Sequence, residues 1–341
     1  MPKCGSQITL CDLPIRFDTY RGCSHYCQYC FAQKKTNLAD IKKGESKKAL
    51  LDFIGGKRTK ETKWCDWDIP LHWGGMSDPF QPAESKYRVS LECLKVFAET
   101  QYPFVVSTKG RLICDPEYLE LIKACNCVIQ ISLVCPEYDE IEPGAPPFRE
   151  RLEMIRTLAQ HKRVNVRMQP YMVEAHDSIM QSIGQFADAG AYGVIVEGMK
   201  YAKKKPGLVK VGGDWCYPLP ELRDRYAEIR EEVHRHGMKF YCGENRLRDI
   251  GESLCCCGID GMEGFRGNDF NLNHILNGQP GQPTEKMQEK GTCGTFCGLY
   301  QIAGISKRIK DYSLKDMMYS ELANKPEYYM EFFGKEIPKE R

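Results

Sequence analysis

Phe104-Val-Val-Ser-Thr108 and Cys127-Val-Ile-Gln-Ile-Ser132 are short runs of strand composition, and Asp115-Pro116 between them is a helix-start signature. A strand, a helix and a second strand in that space make a parallel pair joined by a crossover. The pattern spreads outward. Upstream, Ile69-Pro-Leu-His-Trp73 runs into Gly74-Gly75; downstream come Val164-Asn-Val-Arg-Met168, Tyr192-Gly-Val-Ile-Val196 and Lys239-Phe-Tyr-Cys242. Amphipathic spans at 87–100, 149–160 and 179–189 fill the gaps, and 220–236 reads as a charged surface helix. Repeated units of this kind predict an α/β fold, a parallel sheet that stays open or curls into a barrel. Ligands then gather at the carboxyl ends of the strands, where Gly74, Gly75, Lys109, Ser132 and Gln169-Pro170 fall.

Ahead of this array stands Arg21-Gly-Cys-Ser-His-Tyr-Cys-Gln-Tyr-Cys30. Three thiolates at spacings of four and three, Cys23, Cys27 and Cys30, can hold three irons of a [4Fe–4S] cube and leave the fourth open to a small molecule. Zinc uses closely spaced cysteines too, but a structural zinc site wants a second matching pair, and none follows nearby. A disulfide framework fits poorly with so long a chain.

The 341 residues suffice for one large domain or two ordinary ones, and 42% hydrophobic with 28% charged residues supports a sizeable core. A net charge of +2 makes no chain-wide case for nucleic-acid binding. The N-terminal residues carry no apolar run, so no signal peptide is expected, and nothing approaches the ~18 apolar residues of a membrane span. Eighteen cysteines without an export signal point to a cytoplasmic protein and to metal ligation. Cys93, Cys114 and Cys125 read as small buried hydrophobes.

Together the triad and the array resemble the radical SAM enzymes, in particular the spore photoproduct lyase branch and its uncharacterised relatives. The supporting strings, in family order, are the cysteine loop, Gly75-Met-Ser-Asp-Pro-Phe80, Ser107-Thr-Lys109, Ile131-Ser132, Ile141-Glu-Pro-Gly144, Glu150-Arg-Leu152 and Pro170. The resemblance, which covers roughly residues 15–200, implies a partial (β/α)6 barrel, placed at residues 1–245, with the cluster loop after its first strand; the composition of 246–341 reads as a Cys/Gly-rich extension. It implies S-adenosylmethionine on the open iron, with Tyr29 toward the adenine, Gly74 and Gly75 beside the methionyl amine, Lys109 and Ser132 at cofactor-contacting positions and Arg151 toward the carboxylate. It also implies reductive cleavage of that cofactor to a 5′-deoxyadenosyl radical, hydrogen abstraction from a substrate, and a reductant such as flavodoxin or ferredoxin.

Two departures bear on the substrate. Photoproduct lyases carry a hydrogen-donor cysteine just before the Ser-Asp that aligns with Ser77-Asp78, where this chain has Met76, and a tyrosine where it has Phe31. Thymine-dimer repair then needs a different hydrogen donor, for which Cys135 is the candidate. The basic run 200–210, with Lys203-Lys-Lys205, is either a solvated loop or a steering patch for phosphates, and a nucleotide or nucleic-acid substrate is the expectation by analogy. In the extension, Cys255-Cys-Cys257-Gly and Gly291-Thr-Cys-Gly-Thr-Phe-Cys-Gly298 suggest an auxiliary cluster on Cys255, Cys257, Cys293 and Cys297, with Cys242 or Cys256 as substitutes; a zinc site is the alternative. In extended chain Cys256 would point away from its neighbours. The rival to an enzyme is a non-catalytic iron–sulfur or zinc-binding regulatory module.

Overall fold

A computed structural model describes residues 2–4, 8–292, 311–324 and 326–336. Seven strands form one sheet in sequence order: β1 (Arg16–Phe17), β2 (Leu71–Trp73), β3 (Phe104–Thr108), β4 (Cys127–Ser132), β5 (Val164–Tyr171), β6 (Gly193–Gly198) and β7 (Lys239–Cys242). Every neighbouring pair is parallel. One main helix fills each crossover: α1 (Ser46–Ile54), α2 (Val89–Thr100), α3 (Pro116–Ala124), α4 (Phe148–Ala159), α5 (His176–Asp188) and α6 (Leu219–Arg235). This is a partial barrel of six strand–helix units followed by a seventh strand at its edge.

Local differences from the sequence reading have local causes. The 87–100 span breaks because Arg88 takes a left-handed φ of 52°, so the main helix starts at Val89. The strand read at 164–168 continues to Tyr171. The first strand is only two residues long and carried no periodicity to read.

Strand alternation sorts side chains between two cores. Phe104 and Val106 face the helices, where Phe97 of α2 stacks 4.1 Å from Phe104 and Trp73 lies 5.5 Å from Phe97. Val105 and Val128, paired in register, face inward and pack with Leu13, Cys257, Ile259 and Phe265. Both valines sit at the second position of their strands, so the residues following β7 fill the amino-end floor of the barrel. The carboxyl-end mouth is left to the loops. Among the described residues no helix is long and apolar enough to cross a membrane.

Candidate metal and cofactor site

The loop after β1 carries Cys23, Cys27 and Cys30, and backbone contacts fix it on both sides. Gly22 turns it with φ 84°, at a point where a Cβ would lie 2.8 Å from the Asp40 carbonyl oxygen. Cys23 N–H donates to Leu38 (3.0 Å), Ser24 N–H to the Gln81 side chain (2.9 Å), and Gln28 N–H to Ile141 (2.9 Å). His25 bridges outward, its Nδ1 2.8 Å from the Gly144 carbonyl oxygen and its Nε2 3.1 Å from Asp78. Gly144 permits that approach, since a Cβ there would meet Ser24 O at 2.2 Å.

Asp78 and Glu142 anchor this arrangement. Asp78 is buried yet accepts from Thr108 Oγ1 (2.7 Å), Lys109 N–H (2.6 Å) and Phe80 N–H (2.8 Å). Burial raises its pKa, but the His25 partner and these donors outweigh it, and the carboxyl ends below the usual range. Glu142, 2% exposed, accepts from Tyr29 OH, pairs with Arg151 (2.6 Å) and lies 3.6 Å from Lys109 Nζ. Its pKa also falls: burial opposes ionisation, and Lys109, Arg151 and Tyr29 overcome it.

Three of the six residues that sequence assigned to the cofactor, Tyr29, Lys109 and Arg151, therefore converge on one carboxylate that sequence left without a role. Arg151 is fully buried and committed to Glu142, Asp139 (3.1 Å) and the Ser132 carbonyl (2.8 Å), so it braces the rim from within and is not a helix-surface charge. Lys109 sits 5.8 Å over the Tyr29 ring. Gly74, with φ 90°, allows β2 to end against Ser107, whose carbonyl oxygen would lie 2.4 Å from a Cβ; a Cβ on Gly75 would meet Arg16 Cδ at 3.0 Å. Cys135 is buried in the outer core within reach of Glu137 and Ser178 of α5, away from the interior where a hydrogen donor would act.

The three loop cysteines are electrostatic neighbours. Burial first, then the Asp78 charge, pushes the Cys23 thiol up to about 12, and burial raises Cys27 as well. A bound cationic centre reverses that preference, because metal ligation takes thiolates. Among the described residues no three His, Cys, Asp or Glu side chains already encircle a single ion. A four-iron cube spreads its ligands wider than one ion does. Three cysteines on one clamped loop fit the cube's three-ligand requirement.

Below the rim runs a polar chain that sequence reasoning missed. His72 Nε2 meets Ser107 Oγ (2.9 Å); Ser107 and Arg167 both donate to Gln130 Oε1 (2.8 Å each); Arg167 also reaches Gln169, and Gln169 donates to Glu197 (2.6 Å). Five consecutive strands each contribute one or two of these residues on the inward face. Burial, then Arg167 and Arg16, holds the His72 pKa down to about 3, so its ring is neutral. The signal was present in Asn165, Arg167 and Gln169, polar at every second position of an otherwise apolar strand.

After β6, Lys203, Lys204 and Lys205 are exposed. Lys205 sits 4.1 Å over the Tyr201 ring and Lys204 5.5 Å over Trp215, beside the hairpin Val209–Val211/Asp214–Cys216. In the extension, Cys293 and Cys297 lie outside the described residues. Cys255, Cys256 and Cys257 lie together, because Cys256 and Cys257 occupy a turn and not the extended chain expected of them. They are joined by Cys11, a residue that sequence reading did not select. Cys242 stands nearby, its sulfur 3.7 Å from the Glu244 carbonyl oxygen.

No protein-family model matches the chain. Uncharacterised proteins of Mycobacterium tuberculosis and Mycobacterium bovis are 29% identical over 235 residues, covering 64% of this chain and 68% of theirs. Among solved structures, spore photoproduct lyase with bound AdoMet and a dinucleoside spore photoproduct superposes with a TM-score of 0.54 at 14% identity, over 67% of this chain and 76% of that one. A second structure of that lyase, with the dinucleoside photoproduct, gives 0.55 at 15% identity over 67% and 75%. The chain thus shares the fold of spore photoproduct lyase over two thirds of its length.

Proposed function

We propose that the chain is a radical SAM enzyme in which Cys23, Cys27 and Cys30 hold a [4Fe–4S] cluster and S-adenosylmethionine occupies the remaining iron. The observation that carries this reading is the clamped three-cysteine loop at the carboxyl ends of a parallel sheet, beside the buried Tyr29–Glu142–Lys109–Arg151 network. Bound there, the pair supplies one-electron cleavage of a sulfonium C–S bond and a 5′-deoxyadenosyl radical able to take hydrogen from an unactivated C–H.

The chain's own residues position and shield. Glu142 fixes the Tyr29 phenol and the two cations at the rim, so none of them reorganises when a ligand arrives. The glycine edge at 74–75 opens room for backbone polar groups to approach a ligand. The inward chain from His72 to Glu197 offers donors and acceptors to a polar substrate, and the packed floor excludes bulk water from below. A nucleotide or nucleic-acid substrate is favoured by the lysine–aromatic hairpin and by likeness in fold to a lyase solved with a dinucleoside. A flavodoxin- or ferredoxin-type protein would serve as electron donor. Met76 and Phe31, which replace the hydrogen-returning groups of photoproduct lyases, separate this reaction from thymine-dimer repair by the same relay.

Anaerobic reconstitution followed by dithionite and S-adenosylmethionine tests the reading. 5′-Deoxyadenosine should form with the native chain and vanish with Cys27→Ala. Iron-loaded protein that makes none would replace the enzyme with a metal-binding module. Thymine release from ultraviolet-irradiated DNA would restore repair by another donor.

A further inference from the structure

Cys11, Cys255, Cys256 and Cys257 meet at the barrel floor, although they come from opposite ends of the chain. Cys257 is buried in the inward cluster, with Cys11, Cys255 and Cys256 packed against it, and all three influence its thiol. We propose that these four cysteines, which like the loop triad do not already encircle a single ion, form a second, all-thiolate metal centre, of the class filled by an iron–sulfur cluster or, once the thiols draw in, a zinc ion.

The chain builds this box on purpose-shaped backbone. The turn at Cys256–Cys257 ends in Gly258, whose φ is 65° and whose missing Cβ would lie 2.4 Å from Asn165 Nδ2. Gln130 of β4 donates to the Cys257 carbonyl (3.1 Å), and Arg163 and Asn165 reach the Gly258 carbonyl (3.3 and 3.4 Å). Cys11 is delivered by a separate amide clamp. Asn273 Nδ2 donates to Leu10 O (2.7 Å), Asn271 Nδ2 to Asp12 (3.1 Å), and Asn268 N–H to Asp12 O (2.7 Å). The asparagines that make the extension look irregular in sequence are therefore what carries Cys11 to its partners.

A second observation points to an anionic group at this place. Arg248 is 5% exposed, and its terminal nitrogens donate to Cys242 O (3.0 Å) and Asn245 Oδ1 (2.8 Å), while its buried Nε has no hydrogen-bond partner. Among the described residues it forms no salt bridge to a carboxylate; its electrostatic partners are Cys256, Cys242 and Cys11. A buried guanidinium requires compensating negative charge. Four thiolates around a divalent ion or a cluster leave the centre net negative and supply that charge. Arg167 faces Cys256 as well. Packing as small hydrophobes accounts less well for the group, since Cys11, Cys255 and Cys256 are only half-buried. An all-sulfur set selects zinc or iron–sulfur over oxygen-seeking ions.

The test uses the full chain carrying Cys23→Ala, Cys27→Ala and Cys30→Ala, so that the loop triad contributes no metal. After anaerobic reconstitution it should hold about four iron and four sulfide per chain if a cluster forms there, or about one zinc if an ion does. Adding Cys11→Ala and Cys257→Ala should lower that content by about tenfold or more. Cys11→Ser alone guards against simple misfolding: its far-UV circular dichroism should match the parent while its thiolate-to-metal absorption, read after cobalt exchange in the zinc case, changes. A metal-free triple variant overturns the proposal. So does metal that survives the two added substitutions, or that is lost equally from a Cys93→Ala/Cys125→Ala control. None of these readouts involves 5′-deoxyadenosine, so this proposal and the radical reading fail separately.

Discussion

One barrel gathers cysteines at both ends and secures them by different means. At the mouth, ionised side chains do it: Glu142 between Lys109 and Arg151, and Asp78 among His25, Thr108 and Lys109 N–H. At the floor, neutral amides do most of it, with Asn268, Asn271 and Asn273 holding the Cys11 segment and Gln130 and Asn165 holding the turn. Buried charge is strong while complete and costly when one partner goes. Amide bonds contribute less each and fail more gently. The comparison teaches that the two ends should respond differently to the same kind of perturbation.

The largest contrast comes from glycine. At Gly144 a Cβ would sit 2.2 Å from Ser24 O and 2.8 Å from His25 Cα, both backbone atoms that cannot swing away. Gly144→Ala should shift the cluster loop, strip iron from the triad and cut 5′-deoxyadenosine formation by about 10²-fold, the penalty of a displacement near 1 Å. At Gly258 the strain of φ 65° and the clash with the Asn165 amide both fall at the floor, so Gly258→Ala should leave triad iron and rate close to native. Equal losses from both substitutions would erase the distinction between mouth and floor.

Charge comes next. Glu142→Gln leaves Lys109 and Arg151 buried without their shared anion and should cost about 3–5 kcal/mol of stability, read by urea denaturation of the apo chain. A loss under 1 kcal/mol would mean that the rim cations find other partners.

Titration separates the two ends by sign. The Glu142 pKa is depressed from 4.5, so its contribution is complete above that value and disappears as pH falls. His274 at the floor behaves oppositely. Burial lowers its pKa, but Asp12 at 3.0 Å, the Gln279 carbonyl and Asp269 raise it above 6.5 overall. Its contribution is full below 6.5 and is lost as pH rises through the folded value. Hydrogen exchange should show residues 21–30 and 139–144 loosening on the acid side and residues 8–13 loosening on the alkaline side. If both ends loosen on the same side of neutrality, the opposite titrations of Glu142 and His274 do not govern the two ends.

What could be read from sequence followed the same divide. The triad's spacing is local, and strand runs such as Phe104–Thr108 announce themselves, so the fold and the cluster loop were legible without coordinates. Gly144 and Glu142 were quoted only as parts of a string, because Gly144 meets Ser24 and Glu142 meets Tyr29 more than a hundred positions away. Cys11 gave no signal at all: it stands alone in sequence, and only the Asn268–Asn273 clamp shows where it goes. The turn at Cys256–Cys257 was missed because strand alternation was assumed where Gly258 in fact reverses the chain.

The smallest expected effect tests the floor most directly. Asn273 is 1% exposed and donates to Leu10 O at 2.7 Å and to Asn245 Oδ1 at 3.1 Å. Asn273→Ala removes both bonds and takes the side-chain donor from the Leu10 carbonyl, while Asn245 Oδ1 keeps its bond from Arg248, and no charge is stranded. That sets the cost at about 1–3 kcal/mol, below the loss expected at Glu142. The same substitution should free the Cys11 segment before it affects the barrel, so alkylation of Cys11 in the apo chain should quicken while exchange in β3 and β4 stays native. If Cys11 remains protected, the amide clamp is not what holds it, and the floor owes its order to the packing of Leu13, Ile259 and Phe265 alone.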